Sequence, residues 1–74
     1  MKKYIYDIMF HGIHLNFTED QQWLDNDTFC VDADDDQGNK YMVYYDGSNI
    51  EVGEEDLIDW ESPKYVFTAD GEEI

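Results

Sequence analysis

The sequence predicts an α+β fold: a small antiparallel β-sheet of five to six short strands with one or two short helices. Apolar and polar residues alternate with a period of two through most of the chain, which is typical of strands with one buried face. Clusters of Gly, Asn and Asp separate the alternating runs, as turns do in antiparallel sheets. Two segments, beginning at Thr18 and at Gly53, instead have the features of short helices.

The first element is a predicted β-hairpin over residues 4–17. The apolar side of its two arms carries Tyr4, Tyr6, Ile8, Phe10, Ile13, Leu15 and Phe17. His11 and Gly12 lie between the arms, and such a pair forms either a two-residue hairpin turn or a β-bulge. We favour the hairpin turn.

A short helix is predicted to follow the hairpin. Thr18 is a suitable N-cap, Gln21 occupies the third helical position, and the two acids between them suit the positive end of a helix dipole. The helix would turn Trp23 and Leu24 toward the core. It would end near residues 26–27, where the sequence is Asn-Asp.

A second β-hairpin is predicted over residues 28–45. Residues 28–33 and 40–45 both alternate, and between them lies the turn-forming sequence Asp34-Asp-Asp-Gln-Gly-Asn39. A further turn over residues 46–49 precedes a short apolar run at residues 50–52. One or two helical turns are then expected over residues 53–60, ending before Pro63, with a last strand over residues 64–68.

The composition is strongly acidic. Four Lys and no Arg oppose 19 Asp and Glu, which gives a formal net charge of −15 in 74 residues. This length predicts a single acidic domain over residues 1–74, and 42% hydrophobic with 16% aromatic residues suffices for a small core. Direct binding to nucleic acid or to an anionic membrane surface is disfavoured, because both need cationic side chains.

Cysteine use and hydropathy indicate a cytoplasmic protein. Cys30 is the single cysteine, so the chain forms no intramolecular disulfide, whereas secreted chains of this size usually depend on disulfides. No apolar run approaches the roughly 20 residues that span a bilayer. The start of the chain has no small-residue cleavage site of the signal-peptide kind.

The acids fall into two blocks that contain no base. The first block is residues 18–36, with eight acids, and the second is residues 46–61, with seven. Averaged over the roughly 4,800 Å² that a chain of this mass exposes, the net charge is about threefold sparser than on DNA. If folding brings the blocks to one side, the local density approaches that of DNA.

Other chemistry receives little support from the residue spacing. Asp32, Asp34 and Asp36 match the first three ligand positions of an EF-hand loop, but Gln37 and Val43 occupy the positions of the required Gly and Glu. His11, His14 and Cys30 lack the paired spacing of a zinc site. We therefore expect no metal and no cofactor.

Catalysis is not expected either. The acidic surroundings disfavour the thiolate form of Cys30, so we expect this thiol to be an inert strand residue. Acid-base chemistry by carboxylates needs a pair of them in a concave pocket, and a chain of 74 residues offers little room for one. We expect no enzymatic activity.

The chain resembles the small acidic phage-encoded inhibitors of bacterial defence, which are anti-CRISPR and anti-restriction proteins that act as DNA mimics. The resemblance lies in the size, the absence of Arg, and the acidic runs Asp32-Ala-Asp-Asp-Asp36 and Glu54-Glu-Asp56. These families share charge rather than sequence, so the resemblance is to a class and carries over no site residue. It implies a bacterial host cell as the place of action.

The leading hypothesis is a non-enzymatic inhibitor that occupies the nucleic-acid groove of a CRISPR effector or another nuclease. The predicted partner is thus a basic nucleic-acid-binding protein, and eight acids are predicted to bind it: Asp32, Asp34, Asp35, Asp36, Glu54, Glu55, Asp56 and Asp59. The alternatives are an immunity protein or antitoxin that neutralises a basic toxin, and a homodimeric acidic adaptor whose interface is built from the numerous aromatic residues.

Overall fold

The computed structural model describes residues 7–74, with the side chains of Glu19 and Asp20 outside that description. Within these residues, one curled sheet contains five antiparallel strands in chain order. The strands are β1 (Asp7–Phe10), β2 (Ile13–Trp23), β3 (Thr28–Asp34), β4 (Lys40–Asp46) and β5 (Tyr65–Thr68). A single antiparallel bridge joins Phe67 to Glu73, so the end of the chain runs alongside β5.

One face of the sheet, called here the core face, carries the hydrophobic core. Its buried side chains come from every second residue of the strands, as the alternation predicts. They are Ile8, Leu15, Phe17, Phe29, Val31, Ala33, Tyr41, Val43, Tyr45 and Val66. The side chains between them point to the opposite face, called here the outer face.

The two predicted hairpins are confirmed over the described residues. His11 and Gly12 have φ angles of 49° and 80°, which two-residue turns with positive φ at both positions require, and Phe10 pairs with Ile13 across the turn. In the second hairpin, β3 pairs with β4 from Thr28 opposite Asp46 to Asp34 opposite Lys40. Tyr4 and Tyr6, which the first hairpin was predicted to include, lie outside the described residues.

The prediction of an α+β fold is wrong, because residues 7–74 are mostly β and contain no α-helix. The predicted helix at Thr18 is instead the second half of β2, which continues through a β-bulge between Phe17 and Gln21. Strand pairing between β2 and β3 explains why this segment is a strand rather than a helix. Trp23 lies opposite Phe29, with ring centroids 5.2 Å apart, and a helix would remove the Trp23 ring from that contact.

The segment between β4 and β5 covers the core face. Its one regular element is a 3₁₀ turn at Glu55–Leu57, where one or two helical turns were expected. Ile58 and Trp60 insert into the core, and the Tyr45 hydroxyl donates a buried hydrogen bond of 2.6 Å to the Trp60 carbonyl. The apolar run at residues 50–52 forms no strand.

Within residues 7–74, no helix has the length and apolar character needed to cross a membrane.

Candidate functional site

The β3–β4 turn is organised by one carboxylate of the first acidic block. Asp35 accepts hydrogen bonds of 2.9 Å from the backbone N–H groups of Gln37 and Asn39, from Asn39 Nδ2 and from the Tyr41 hydroxyl. These donors, with the Asn39 side chain first among them, lower the pKa of Asp35 to about 2. The sequence folds this way because Asp closes a turn by accepting from N–H groups two and four residues ahead.

The two acids beside Asp35 are also paired within the protein. Asp34 ends β3, and its carboxylate lies 3.3 Å from Lys40 Nζ, directly across the hairpin. Asp36 lies 3.0 Å from His14 Nδ1 and accepts a hydrogen bond of 3.2 Å from Asn16 Nδ2. The turn is thereby fastened to β2, and part of its negative charge is offset.

His14 lies between two carboxylates. Its Nε2 is 2.8 Å from Asp7 Oδ2, while its Nδ1 faces both carboxylate oxygens of Asp36. Ionised carboxylates only accept hydrogen bonds, so both ring nitrogens donate when both contacts are made, and the ring is an imidazolium. The hydrogen bond to Asp7, followed by that to Asp36, raises the pKa of His14 above its ordinary value of 6.5.

Four acids of the first block were predicted to bind the partner protein, and Asp32 is the one whose carboxylate forms no hydrogen bond or ion pair with the described residues. It projects from the outer face of β3, opposite Met42 and beside the bulge of β2. Burial, and then the negative charge of Asp32, raise the pKa of the neighbouring Cys30 thiol to about 11. Such a thiol stays protonated at neutral pH and is a poor nucleophile.

The second acidic block lies on the covering segment of the core face. Asp56 and Asp59 are exposed, and Glu54 is exposed with its carboxylate accepting a hydrogen bond of 3.2 Å from the Glu51 N–H. Glu55 differs from them, because it is 9% exposed and its Oε2 is buried without a hydrogen-bond partner in the described structure. Within this block, Glu54, Asp56 and Asp59 therefore face solvent, whereas Glu55 is buried.

The two acidic blocks lie on opposite faces of the sheet and approach each other at the β1 edge. Asp32 projects from the outer face, whereas the 3₁₀ turn lies over the core face. At the β1 edge, acids from both blocks, Asp36 and Glu61, line one open cavity of about 830 Å³ together with Asp7 and His14. Among residues 7–74, no group of three or more His, Cys, Asp or Glu side chains is arranged to hold a metal ion.

The outer face also carries an aromatic cluster, which contains none of the predicted site residues. Tyr44 and Phe67 meet edge to face with ring centroids 5.5 Å apart, and Phe67 lies 6.0 Å from the ring of Tyr65. Lys64 Nζ stands 5.6 Å from the centroid of the Tyr65 ring. The signal in the sequence is that Tyr44 and Phe67 alternate with the core residues of β4 and β5.

A smaller cavity of about 410 Å³ opens on the outer face beside Asp32. It lies at the β2 bulge, where β2 and β3 lose their regular register between Phe17 and Gln21. The residues that line it are Thr18, Gln22, Asp32, Ala33, Lys40, Tyr41, Met42 and Ala69.

Protein-family models, curated proteins and solved structures were compared with this chain, and none matches it. The chain's own charge, dimensions and side chains therefore carry the functional conclusion.

Proposed function

We propose that this protein is a non-enzymatic inhibitor that occupies the nucleic-acid groove of a CRISPR effector or another nuclease. The observation that supports it most is the charge per length. The net charge of −15 is carried on a body whose longest dimension is 33 Å. A DNA duplex of that length has about 19 phosphate charges, at one charge per ~1.7 Å of axis.

The dimensions suit such a groove. A body of 33 × 21 × 18 Å has about the length of one helical turn of B-DNA, which is roughly 34–36 Å. The exposed surface of 4875 Å² has both an acidic loop on one side and acidic strand residues on the other. A groove that closes around a duplex contacts it from more than one side, so acids on both faces are usable by the same partner.

The eight predicted acids divide into two roles. Asp32, Asp34, Asp36, Glu54, Asp56 and Asp59 are at least partly exposed and present charge to the partner. Asp35 holds the turn that positions Asp34 and Asp36, and the buried Glu55 belongs to the 3₁₀ turn that positions its acidic neighbours. The proposed target places the inhibitor in the cytoplasm of a bacterial host cell.

A competition assay tests this function. A panel of purified nucleases, including RNA-guided effectors, is incubated with labelled duplex DNA and increasing amounts of the protein. We expect the protein to displace DNA from at least one member, with an affinity that falls steeply as salt is raised, because the contacts are ionic. Polyglutamate of equal total charge is the control for unspecific polyanion binding.

A charge-neutral series assigns the contact. Asp-to-Asn and Glu-to-Gln changes at the six exposed acids should weaken displacement progressively, while Asp70→Asn and Glu72→Gln, outside both blocks, should have a smaller effect. Displacement by polyglutamate equal to that by the protein, or full inhibition by the six-fold variant, would contradict the proposal.

A further inference from the structure

The geometry points to an arginine-binding site on the outer face, in the cavity beside Asp32, that receives a guanidinium group of the basic partner. This inference rests on the proposed function and names the chemistry that one part of the surface recognises. The net charge of the chain attracts any cation. The cavity beside Asp32, by contrast, is a defined site that favours one kind of cationic side chain.

The cavity combines a carboxylate with neutral hydrogen-bond acceptors. Within residues 7–74 Asp32 forms no ion pair, because the nearby Lys40 is paired with Asp34. Gln22 and Thr18 line the same opening of about 410 Å³. A guanidinium offers five N–H donors in one plane, so it can satisfy a carboxylate and an amide oxygen together. A lysine ammonium is a compact and more strongly hydrated charge and fits this set less well.

The walls of the cavity favour the same occupant. Met42 and Ala69 supply apolar surface, and Met42 lies directly opposite Phe67 in the sheet, so the aromatic cluster begins beside the opening. Guanidinium groups pack against thioether and aromatic surfaces because they are weakly hydrated above and below their plane. The contact between Lys64 and Tyr65 shows that a ring of this cluster faces a cation.

Among residues 7–74, no cation of the protein forms an ion pair with Asp32. Lys40 lines the cavity, but its Nζ lies 3.3 Å from Asp34, which offsets its charge. The chain contains no arginine, so a second copy of it has no guanidinium to insert. The charge complementarity therefore calls for a different, arginine-bearing protein.

A direct binding experiment uses N-acetyl-arginine amide as the probe and N-acetyl-lysine amide as its control. Each is titrated into the ¹⁵N-labelled protein at constant ionic strength and followed by NMR chemical shifts. We expect the arginine probe to shift the signals of Gln22, Asp32 and Met42 at millimolar concentrations and the lysine probe to shift them several-fold less. Equal responses to both probes, or shifts confined to the second acidic block at residues 46–61, would overturn the inference.

Two variants move the affinity in opposite directions. Asp32→Asn should weaken binding of the arginine probe by about tenfold, because it removes the charged acceptor. Lys40→Gln should strengthen binding, because it removes the positive charge of Lys40 from the cavity wall and releases Asp34 from its ion pair. Asp56→Asn removes the same charge as Asp32→Asn but lies outside the cavity, so it should have no more than a small effect. The NMR spectra of the variants report whether each is folded.

The two proposals fail in different ways. Suppose that the protein displaces DNA from a nuclease, and that the variants Asp32→Asn and Asp56→Asn displace it equally well. The arginine site is then wrong, and the inhibitor function stands. If the arginine probe binds beside Asp32 but no nuclease is inhibited, the site stands and the inhibitor function is wrong. Binding of the probe that is unchanged by Asp32→Asn overturns the site whatever the nuclease assay shows.

Discussion

Nε2 of His14 lies 2.8 Å from Oδ2 of Asp7, and this contact ties β2 to β1 at the edge of the sheet. The other ring nitrogen faces Asp36 in the β3–β4 turn at 3.0 Å. One imidazolium thus joins two strands and a turn in a chain that otherwise has few cations. When the His14 ring is protonated, it donates a hydrogen bond to both Asp7 and Asp36 and carries a charge that attracts them. When the ring is neutral, it has a single N–H donor, so one of these two hydrogen bonds is lost.

Protein stability should therefore depend on the titration of His14. The pKa of His14 in the folded protein is raised above 6.5 by Asp7 and Asp36, so its stabilising effect is complete below pH 6.5. The effect is lost as the pH rises through the raised pKa. We expect the urea midpoint to fall between pH 6 and pH 9, and NMR titration of the ring to place the pKa above 6.5.

The variant His14→Gln is the control for this prediction. It keeps a hydrogen-bonding side chain but does not titrate, so its urea midpoint should change less over the same range of pH. An equal fall of the midpoint in both proteins would show that the pH dependence comes from other groups.

Asp35 should matter for the fold more than its exposed acidic neighbours do. Replacing it with Asn removes a carboxylate that accepts four hydrogen bonds in the turn, whereas Asp56→Asn removes an equal charge from an exposed position. We expect Asp35→Asn to lower the melting temperature at pH 6. Asp56→Asn should leave it unchanged or raise it, because it relieves repulsion between acids.

Comparison of the wild type with Asp35→Asn also tests the lowered pKa of Asp35. Because this pKa is about 2 in the folded protein against an ordinary 3.8, the carboxylate stabilises the fold fully above pH 4. That stabilisation disappears as the pH falls through 2. The difference in melting temperature between the wild type and Asp35→Asn should shrink over this interval, and a constant difference would contradict the assignment.

The buried hydrogen bond from Tyr45 should hold the acidic segment on the core face. Tyr45→Phe removes the donor that lies 2.6 Å from the Trp60 carbonyl, and losing a buried hydrogen bond of this kind costs about 1–2 kcal/mol of unfolding free energy. Hydrogen exchange in residues 54–61 should accelerate. Tyr65→Phe is the matched control, because the Tyr65 side chain is 42% exposed, and its effect should stay within about 0.5 kcal/mol.

The strands were predictable from sequence because their signal is local. In β3 and β4 the period of two that includes Val31 and Val43 indicates which side chains face the core, and it also places Asp32 on the outer face. The second half of β2 was not predictable in this way. A capping-box pattern at Thr18 and Gln21 competes there with the pairing of Trp23 and Phe29, and that pairing depends on a different strand.

The sequence predicts which kinds of residue form the candidate site, but it does not predict their partners or the shape of the site. Sequence patterns identify Asp36 as an acid in a turn, but its partner His14 lies 22 residues away and is brought near by the sheet. The cavity beside Asp32 depends on a bulge in β2, and no local signal distinguishes a bulge from a helix start in this segment. Long-range register, rather than composition, decides which carboxylates remain unpaired.

The contact between Trp23 and Gly47 gives a test of the corrected path of β2. A Cβ added at Gly47 would lie 2.5 Å from Cζ3 and 2.6 Å from Cη2 of Trp23, so alanine cannot be accommodated unless the ring moves. We expect Gly47→Ala to lower the unfolding free energy by about 1–3 kcal/mol, as overpacking does. In the background Trp23→Phe those ring atoms are absent, so the same substitution should cost clearly less. A urea-denaturation double-mutant cycle measures this coupling, and equal costs in both backgrounds would mean that Trp23 does not lie against Gly47.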